Sequence, residues 1–221
     1  MNIGGIDFDM TSGGLTPEEL KMRKAEEKKQ RIEERKMECL VRKEEIYCRA
    51  AVDFERFVAL PLRGQQFRII TGNCYNPYTL IKRILRKTTI EEMYLAIYSI
   101  NDVAAEGLMK AVESGRIKAG YFIVSVLFRE YRDRAAHRRY DDFCTFCQNH
   151  EELHHAYLRN HAKVFAVRDG LGNTYVLEGS ANLSDNAKIE QLVLENIPET
   201  FEFHKGWIRD EVLKYERENE Q

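Results

Sequence analysis

The sequence predicts an α/β domain in which a mixed β-sheet is flanked by helices and preceded by a long, charged N-terminal helix. Strand-like and helix-like segments alternate from Phe67 onward, which is typical of a partly parallel sheet. Two β-rich runs around a glycine-containing turn near residue 171 add a hairpin, whose strands are antiparallel. Nearly every residue of 18–38 is charged, which indicates a helix in solvent.

The first 60 residues are predicted to form a tail and a helical arm. Residues 1–15 are rich in glycine and carry no periodic pattern, so we interpret them as a flexible tail. The arm spans residues 16–60 and ends at Pro61. Its second half has an apolar stripe that repeats every seven residues: Leu40, Tyr47 and Phe54. This stripe should dock on the domain or pair with a second copy, and the charged first half could bind a further partner.

Residues 61–221 are predicted to form a single domain. Its first elements are predicted as a strand at 67–70, a helix at 77–86, a strand at 93–100, a helix at 102–114 and a strand at 121–128. Asn101 or Asp102 should cap the second helix, because short polar side chains accept hydrogen bonds from the first free N–H groups of a helix.

Composition and charge exclude several classes of protein. The 221 residues include 34 Lys and Arg and 36 Asp and Glu, which excludes a uniformly basic nucleic-acid coat but not local basic patches. No apolar run approaches the roughly 20 residues of a membrane helix, and the N-terminus lacks a signal-peptide pattern. We therefore expect a cytoplasmic protein without stable membrane association. The odd number of cysteines, five, favours reduced thiols over a disulfide framework.

Polar side chains cluster on the predicted hairpin between residues 161 and 182. Alternate residues of a strand share a face, so each of its two runs should present a pair of polar side chains on one face. If residues 171–172 form the centre of the turn, two cross-strand pairs follow: Lys163 opposite Ser180, and His161 opposite Asn182. Four polar groups would then converge on one small patch.

Such a patch is suited to a phosphate-sized anion. Lys163 supplies a positive charge, Ser180 and Asn182 supply neutral donors, and Gly179 allows close approach. A histidine at its edge can act as a nucleophile or a proton shuttle.

The surrounding sequence favours chemistry without a metal or other cofactor. Neither a carboxylate pair nor a triad of hard metal ligands accompanies the hairpin motif. Glu190, beyond the hairpin, could orient His161 through a hydrogen bond. We therefore expect metal-free phosphoryl chemistry.

The pattern His161-x-Lys163, followed by Gly179-Ser180-x-Asn182 and then Glu190, resembles the signature of the phospholipase D superfamily. That superfamily includes phospholipases, phosphatidyl transferases and small bacterial nucleases. The resemblance is specific over residues 161–190, and the order of elements is compatible with it over about residues 65–215. The family's histidine–lysine–aspartate motif usually has its aspartate five residues after the lysine, where this chain has Arg168. Asp169 follows one position later, and we interpret it as a substitute in a lengthened hairpin loop.

The resemblance implies a phosphohistidine mechanism. The family's histidine attacks phosphorus, and a second histidine, from a second copy of the motif, protonates the leaving oxygen. This chain holds one copy, like the family's short nucleases, which implies a homodimer with a shared site. His161 would be the nucleophile in one subunit and the general acid in the other, while Lys163 and Asn182 of both subunits would bind the phosphate.

These expectations lead to a metal-independent phosphodiesterase of the phospholipase D type, acting on nucleic acid as an endonuclease. Two alternatives stay open. One is a hydrolase or transferase of the same superfamily that acts on phospholipids. The other is a catalytically inactive scaffold that keeps the phosphate pocket and is anchored to a partner through residues 1–60.

Arginines and tyrosines interleave over residues 129–140, a pattern that can follow a nucleic-acid backbone and stack on bases. The candidate substrate-binding residues are Gly179, Arg132, Arg138 and Arg139. A solvated helix balanced by nearby aspartates explains the same arginines equally well. A weaker basic cluster comprises Lys82, Arg83, Arg86 and Lys87.

The pair Cys144-x-x-Cys147, close to three histidines, resembles half a zinc site. Cys74 could join it in space. Partly buried free thiols are the alternative, and the sequence favours them because no second Cys-x-x-Cys pair exists.

Overall fold

A computed structural model describes residues 18–19, 21–27, 46–48, 59–71, 76–126, 134–184 and 189–219, with only the backbone of 46–48 and 134–140. The chain divides into two compact units, Met1–Arg42 and Lys43–Gln221. None of the helices within these residues combines the length and the apolar character required to cross a bilayer.

The charged arm is only partly helical in the part that can be described. Residues 18–19 and 21–27 are helical, and Arg23 Nε lies 3.3 Å from Glu27 Oε1, one helical turn away. The prediction of a continuous helix to residue 60 is wrong at Ile46–Cys48, which is a β-strand. Pairing with a neighbouring strand here overrides the seven-residue apolar repeat. The remainder of the arm and the predicted tail, residues 1–15, lie outside the described residues.

The second unit is built on a mixed sheet, as predicted. Its described strands are β1 (Ile46–Cys48), β2 (Gln66–Thr71), β3 (Ile90–Ile97), β4 (Gly120–Ser125), β5 (Leu153–Leu158), β6 (Val164–Asp169), β7 (Thr174–Gly179) and β8 (Glu190–Asn196). Their order across the sheet is β1-β2-β8-β7-β6-β3-β4-β5. The pairs β1–β2, β3–β4 and β4–β5 are parallel, and the other four are antiparallel.

Four helices of this unit lie within the described residues: α1 (Tyr78–Leu85), α2 (Asp102–Glu113), α3 (Arg134–Gln148) and α4 (Pro198–Asn219). The predicted cap of α2 is confirmed, because Asn101 Oδ1 accepts a hydrogen bond of 3.0 Å from the N–H of Ala104. The strand predicted at 121–128 ends earlier, at Ser125, and Val126 already has helical geometry.

Helices cover both faces of the sheet. Apolar side chains of α4 pack on one face in a buried cluster with alternate residues of β3, β4, β6 and β7. On the opposite face, the ring of Phe122 packs edge-on against Phe143 of α3, with 5.3 Å between centroids. Both rings are almost completely buried. The apolar strands are therefore enclosed between layers of helix.

A charged network joins α4 to the sheet beside this core. Glu92 of β3 accepts hydrogen bonds from Arg168 Nε at 2.5 Å, Lys205 Nζ at 2.6 Å and the Tyr94 hydroxyl at 2.7 Å. The Arg168 guanidinium also donates to Glu202 Oε1 at 2.6 Å and lies 4.7 Å from the centroid of a core phenylalanine ring. Burial disfavours the ionised carboxyl of Glu92, but the hydrogen bonds from Lys205, Tyr94 and Arg168 outweigh it and lower its pKa.

The strand directions bring several loops together at one edge of the sheet, which here means the side formed by the ends of the strands and not an outer strand. β2, β3, β4, β5 and β7 end at this edge, and β6 and β8 begin there. Helix α2 also begins there, because the N–H of Asn101 donates to the carbonyl of Leu183 at 2.7 Å. The segments that carry the hairpin motif of the sequence meet at this edge.

Glu92→Gln should lower the free energy of unfolding at pH 7 by about 1–3 kcal/mol, because hydrogen bonds to an ionised group become bonds to a neutral amide. The pKa of Glu92 is lower in the folded state, so its stabilisation is present above the unfolded-state pKa and is lost as the pH falls through the folded-state pKa. Urea denaturation at several pH values should show the difference between the two proteins shrinking in acid.

The matched control is Glu91→Gln, one residue earlier, where the carboxylate pairs with Lys118 in solvent. An exposed pair of this kind contributes little, so its loss should change stability far less than the loss of the Glu92 charge. Equal effects of the two substitutions would contradict the structural role given to Glu92.

Candidate active site

His161 and Lys163 form the centre of the candidate site. Lys163 Nζ donates to the carbonyl oxygen of His161 at 2.8 Å and lies 3.2 Å from His161 Nδ1. The two residues are not on a regular strand as predicted, since β6 begins at Val164. Asn160 shapes the preceding segment, because its Oδ1 accepts from the N–H of Ala162 at 3.0 Å. The predicted pair is nevertheless in direct contact.

The two members of this pair differ in their exposure to solvent. Lys163 is only 8% exposed, while the His161 side chain is exposed. Burial lowers the pKa of the Lys163 ammonium, and the negative charge of Glu190 opposes that shift. A buried ammonium whose nearest partner is a carbonyl retains strong attraction for an anion.

Tyr98 is a member of the site that the sequence analysis missed. Its ring centroid lies 5.3 Å from that of His161 and 5.8 Å from Lys163 Nζ, within the range of a cation–π contact. Tyr98 directly follows β3, and its position at the end of a strand is the feature of the sequence that could have identified it. The predicted strand continued through it, whereas the observed strand ends at Ile97.

Ser180 and Glu190 form a second pair beside the first. The Ser180 hydroxyl donates a short hydrogen bond to Glu190 Oε2 and accepts from the N–H of Gln191 at 3.0 Å. The expectation that Glu190 orients His161 is not met, because within the described residues its carboxylate bonds to Ser180. Its contribution to the site is a buried negative charge that acts on Lys163.

The hairpin register differs by one residue from the predicted one. Val164 pairs with Glu178, and the N–H of Gly179 donates to the carbonyl of Lys163 at 3.3 Å, so Lys163 lies opposite Gly179 rather than Ser180. The predicted pairing of His161 with Asn182 fails for the same reason. The turn has three residues between Asp169 and Asn173 instead of an even number, with Gly172 at a φ of 81°.

Asp169 closes this turn and does not reach the site. Its carboxylate accepts from the N–H of Leu171 at 3.0 Å, the N–H of Asn173 at 2.8 Å and the side chain of Asn173 at 2.9 Å. It lies at the far end of β6, about 20 Å along the strand from Lys163. Asp169 therefore stabilises the turn and is not one of the side chains that meet at the candidate site.

A cleft opens between the hairpin and β8. Its volume is 480 Å³, and it is lined among others by Lys163, Glu178, Gly179 and Ser180. Gly179 is needed here, because a Cβ atom at this position would lie 2.1 Å from the carbonyl oxygen of Gln191. Only glycine allows β7 and β8 to approach so closely beside Lys163.

Asn182 lies just beyond this cleft. It is half-buried, and its neighbour Leu183 bridges to Ile100, close to the start of α2. It therefore lies at the same edge of the sheet as Lys163, and its expected catalytic role stays a prediction.

The predicted substrate-binding arginines fall largely outside the description. Arg132 is not among the described residues, and Arg138 and Arg139 lie on α3 with only their backbone described. Their role in binding nucleic acid stays a prediction.

The cysteine pair has the character of buried thiols. Cys144 and Cys147 are both buried on α3, and burial, with a smaller effect of Cys144, raises the pKa of the Cys147 thiol. A zinc ligand must be a thiolate, which such burial opposes. Within the described residues, no group of three or more His, Cys, Asp or Glu side chains is placed to hold a metal, and Cys74 lies outside them.

The chain is similar to known proteins in its three-dimensional structure. No protein-family model matches the chain, and no curated protein matches it. The structure of Nuc, a phospholipase D family member from Salmonella typhimurium, is similar over 68% of this chain and 96% of that one, with 15% identity and a TM-score of 0.47. Polyphosphate kinase from Porphyromonas gingivalis is similar over 60% and 23%, with 16% identity and a TM-score of 0.41. Phosphatidylserine synthase from Haemophilus influenzae is similar over 65% and 38%, with 14% identity and a TM-score of 0.40.

Gly179→Ala should lower the free energy of unfolding by about 1–3 kcal/mol, because the added methyl group forces β7 away from β8. Gly206→Ala is the control, since a Cβ atom there would meet nothing within 4 Å. In the interior of α4 this change should stabilise the protein by about 0.5–1 kcal/mol. Urea denaturation measures both, and a neutral Gly179→Ala would contradict the close approach.

Glu190→Gln should lower the pKa of Lys163 further, because it removes the negative charge that opposes the effect of burial. Lys163 should therefore lose its proton at a lower pH than in the unaltered protein. The loss of anion binding in alkaline solution should move to lower pH with it. Titration of ¹³C-labelled lysine side chains by NMR measures this pKa directly.

Glu178→Gln is the matched control for this titration, since Glu178 lines the same cleft but pairs with His204, 3.2 Å away. It should leave the pKa of Lys163 close to that of the unaltered protein. An unchanged or raised pKa in Glu190→Gln would contradict the interaction.

Proposed function

We propose that the protein is a metal-independent phosphodiesterase of the phospholipase D type that cleaves nucleic acid. The observation that carries the proposal is the contact between His161 and a buried Lys163, next to the Ser180–Glu190 pair. It unites a nucleophilic imidazole, a cation for phosphate oxygens and a hydroxyl in one small region. The resemblance in sequence over residues 161–190 points to the same chemistry.

The geometry couples phosphate binding to the state of the histidine. While Lys163 donates to Nδ1, the neutral imidazole carries its proton on Nε2. A phosphate oxygen is a better acceptor for the ammonium than a carbonyl or an imidazole, so a bound phosphodiester would draw Lys163 away. Nδ1 could then hold the proton, which leaves the Nε2 lone pair available for attack. Substrate binding would thereby activate the nucleophile.

The proposed reaction has two displacements. In the first, the imidazole nitrogen forms a P–N bond as the bond from phosphorus to the leaving oxygen breaks, and the imidazolium of a second His161 gives this oxygen its proton. In the second, that imidazole takes a proton from water, the water oxygen bonds to phosphorus and the P–N bond breaks. Lys163 balances the charge on the phosphoryl oxygens in both steps. The second histidine comes from another copy of the chain, so we propose a homodimer.

His161→Asn should reduce the hydrolysis of a DNA or RNA oligonucleotide by about 10³-fold or more, because it removes the nucleophile and the proton donor together. Binding of the oligonucleotide should be retained, since Lys163 and Ser180 remain. Cleavage is followed by gel electrophoresis in the presence of a chelator, and binding by fluorescence anisotropy.

His150→Asn is the matched control. This histidine precedes β5, at the end of the strand that lies away from the candidate site, and its ring bonds to the carbonyl of Phe146. The His150→Asn protein should cleave the oligonucleotide as fast as the unaltered protein.

Cleavage that a chelator abolishes would contradict the metal-independent mechanism, and a fully active monomer in sedimentation would contradict the shared site. Hydrolysis of phospholipid vesicles but not of oligonucleotides would favour the lipid-acting alternative. Binding without hydrolysis by the unaltered protein would favour the scaffold.

A further inference from the structure

A second cleft lies between α1 and α2, apart from the candidate active site. Its volume is 360 Å³, and four basic side chains line it: Lys82, Arg86, Lys110 and Arg116. Two hydroxyl groups, those of Tyr78 and Ser114, complete its polar lining. Within the described residues the lining holds no carboxylate, although the whole chain has more acidic than basic residues. Lys82 and Arg86 belong to the weak basic cluster predicted from the sequence, and the fold brings Lys110 of α2 beside them.

The basic side chains of the cleft reach solvent. Lys82, Arg86, Lys110 and Arg116 are all exposed. Lys82 Nζ lies 5.6 Å from the centroid of the Tyr78 ring, and Arg116 Nη2 donates to a backbone carbonyl at 3.1 Å. Lys110 Nζ also forms an exposed ion pair with Glu106, 3.6 Å away. Like charges concentrated in this way repel one another, so an anion in the cleft would relieve that repulsion.

The two helices approach unusually closely at this cleft. A Cβ atom on Gly107 would lie 1.9 Å from the Tyr78 hydroxyl, so only glycine leaves room for this tyrosine between α1 and α2. Burial raises the pKa of Tyr78, which keeps its hydroxyl protonated as a donor. The cleft therefore combines a buried neutral donor with exposed cations.

The cations are distributed along both helices rather than gathered at one point. Lys82 and Arg86 are four residues apart along α1, and Lys110 and Ser114 are four residues apart along α2, a separation of about 6 Å along each axis. A ligand that contacts the lysines and arginines of both helices therefore has to carry negative charge at more than one position, as the phosphates of a nucleic-acid strand do.

The cleft is also connected to the edge that carries the candidate active site. Both helices begin at that edge, where the Asn76 side chain donates to Asn101 Oδ1 at 3.4 Å. The N–H of Asn101 in turn donates to the carbonyl of Leu183, three residues after Ser180. A strand held in the cleft would therefore run along α1 and α2 toward the site.

We propose that the cleft between α1 and α2 binds the phosphodiester backbone of a nucleic acid and holds the strand whose neighbouring part enters the active site. The proposal rests on the proposed function for its choice of a nucleic acid as the ligand. The recognition is electrostatic and independent of sequence, because lysine and arginine contact phosphate oxygens without reading bases.

The test compares two double variants in a His161→Asn background, which prevents cleavage. Lys82→Ala/Arg86→Ala removes two cations from the cleft, and Lys214→Ala/Arg217→Ala removes two exposed cations from α4 as a control. Binding of a fluorescent single-stranded 12-mer is measured by anisotropy across a range of salt concentrations. The cleft variant should bind about tenfold more weakly at low salt, with a salt slope smaller by about 1.4–1.8, whereas the control should match the parent. Urea denaturation should give both variants the parent's stability.

Two results would overturn the proposal. One is an affinity and a salt slope of the cleft variant equal to those of the control. The other is competition by a mononucleotide as strong as that by an unlabelled 12-mer, which would assign the cleft to a small phosphorylated ligand.

Hydrolysis of bis(p-nitrophenyl) phosphate by the unaltered chain is a separate measurement. Its absence would contradict the proposed function, whereas binding that still depends on Lys82 and Arg86 would support the nucleic-acid cleft. The two proposals can therefore fail independently.

Discussion

The hydrogen bonds that Asp169 accepts from the hairpin turn determine where the groups of the candidate site lie. They fix a turn with an odd number of residues, and that number sets the register of β6 against β7. In this register Lys163 lies opposite Gly179, beside the point where β7 and β8 come closest. A shift of one residue would place a serine opposite the lysine. A carboxylate at the far end of the hairpin thus influences where the groups of the candidate site lie.

Arg168, five residues after Lys163, has a structural role of its own. Arg168 shares a face of β6 with Val164 and Ala166, the face that α4 covers. There it bonds to Glu92 and Glu202 and stacks on Phe201. An aspartate at this position would place a third carboxylate beside those two glutamates. Position 168 therefore suits a cation, which pairs with Glu92 of β3 and Glu202 of α4.

The sequence was sufficient for the fold class, because alternating apolar segments and caps such as Asn101 are local signals. It also identified His161, Lys163, Ser180 and Glu190, which do meet at one edge. The hairpin register could not be predicted, because it depends on whether the loop holds an even or an odd number of residues. That number is set by the hydrogen bonds that Asp169 accepts within the turn, which the sequence does not show. The partner of Glu190 and the presence of Tyr98 depend on long-range packing. The strand at Ile46–Cys48 was missed because its pairing with β2 outweighs the local pattern.

The last strand in the chain occupies an inner position in the sheet, between β2 and β7. During synthesis β2 emerges more than a hundred residues before β8, its antiparallel neighbour, exists. Until then, within the described part of the sheet, one edge of β2 has no strand to pair with, and such edges promote association between chains. Closing so long a loop is slow, so the nascent protein spends this interval as two separate blocks of strands. Ser180 and Glu190 first meet when β8 pairs with β7, and because β8 is made after the other described strands, assembly of the candidate site is a late event in folding.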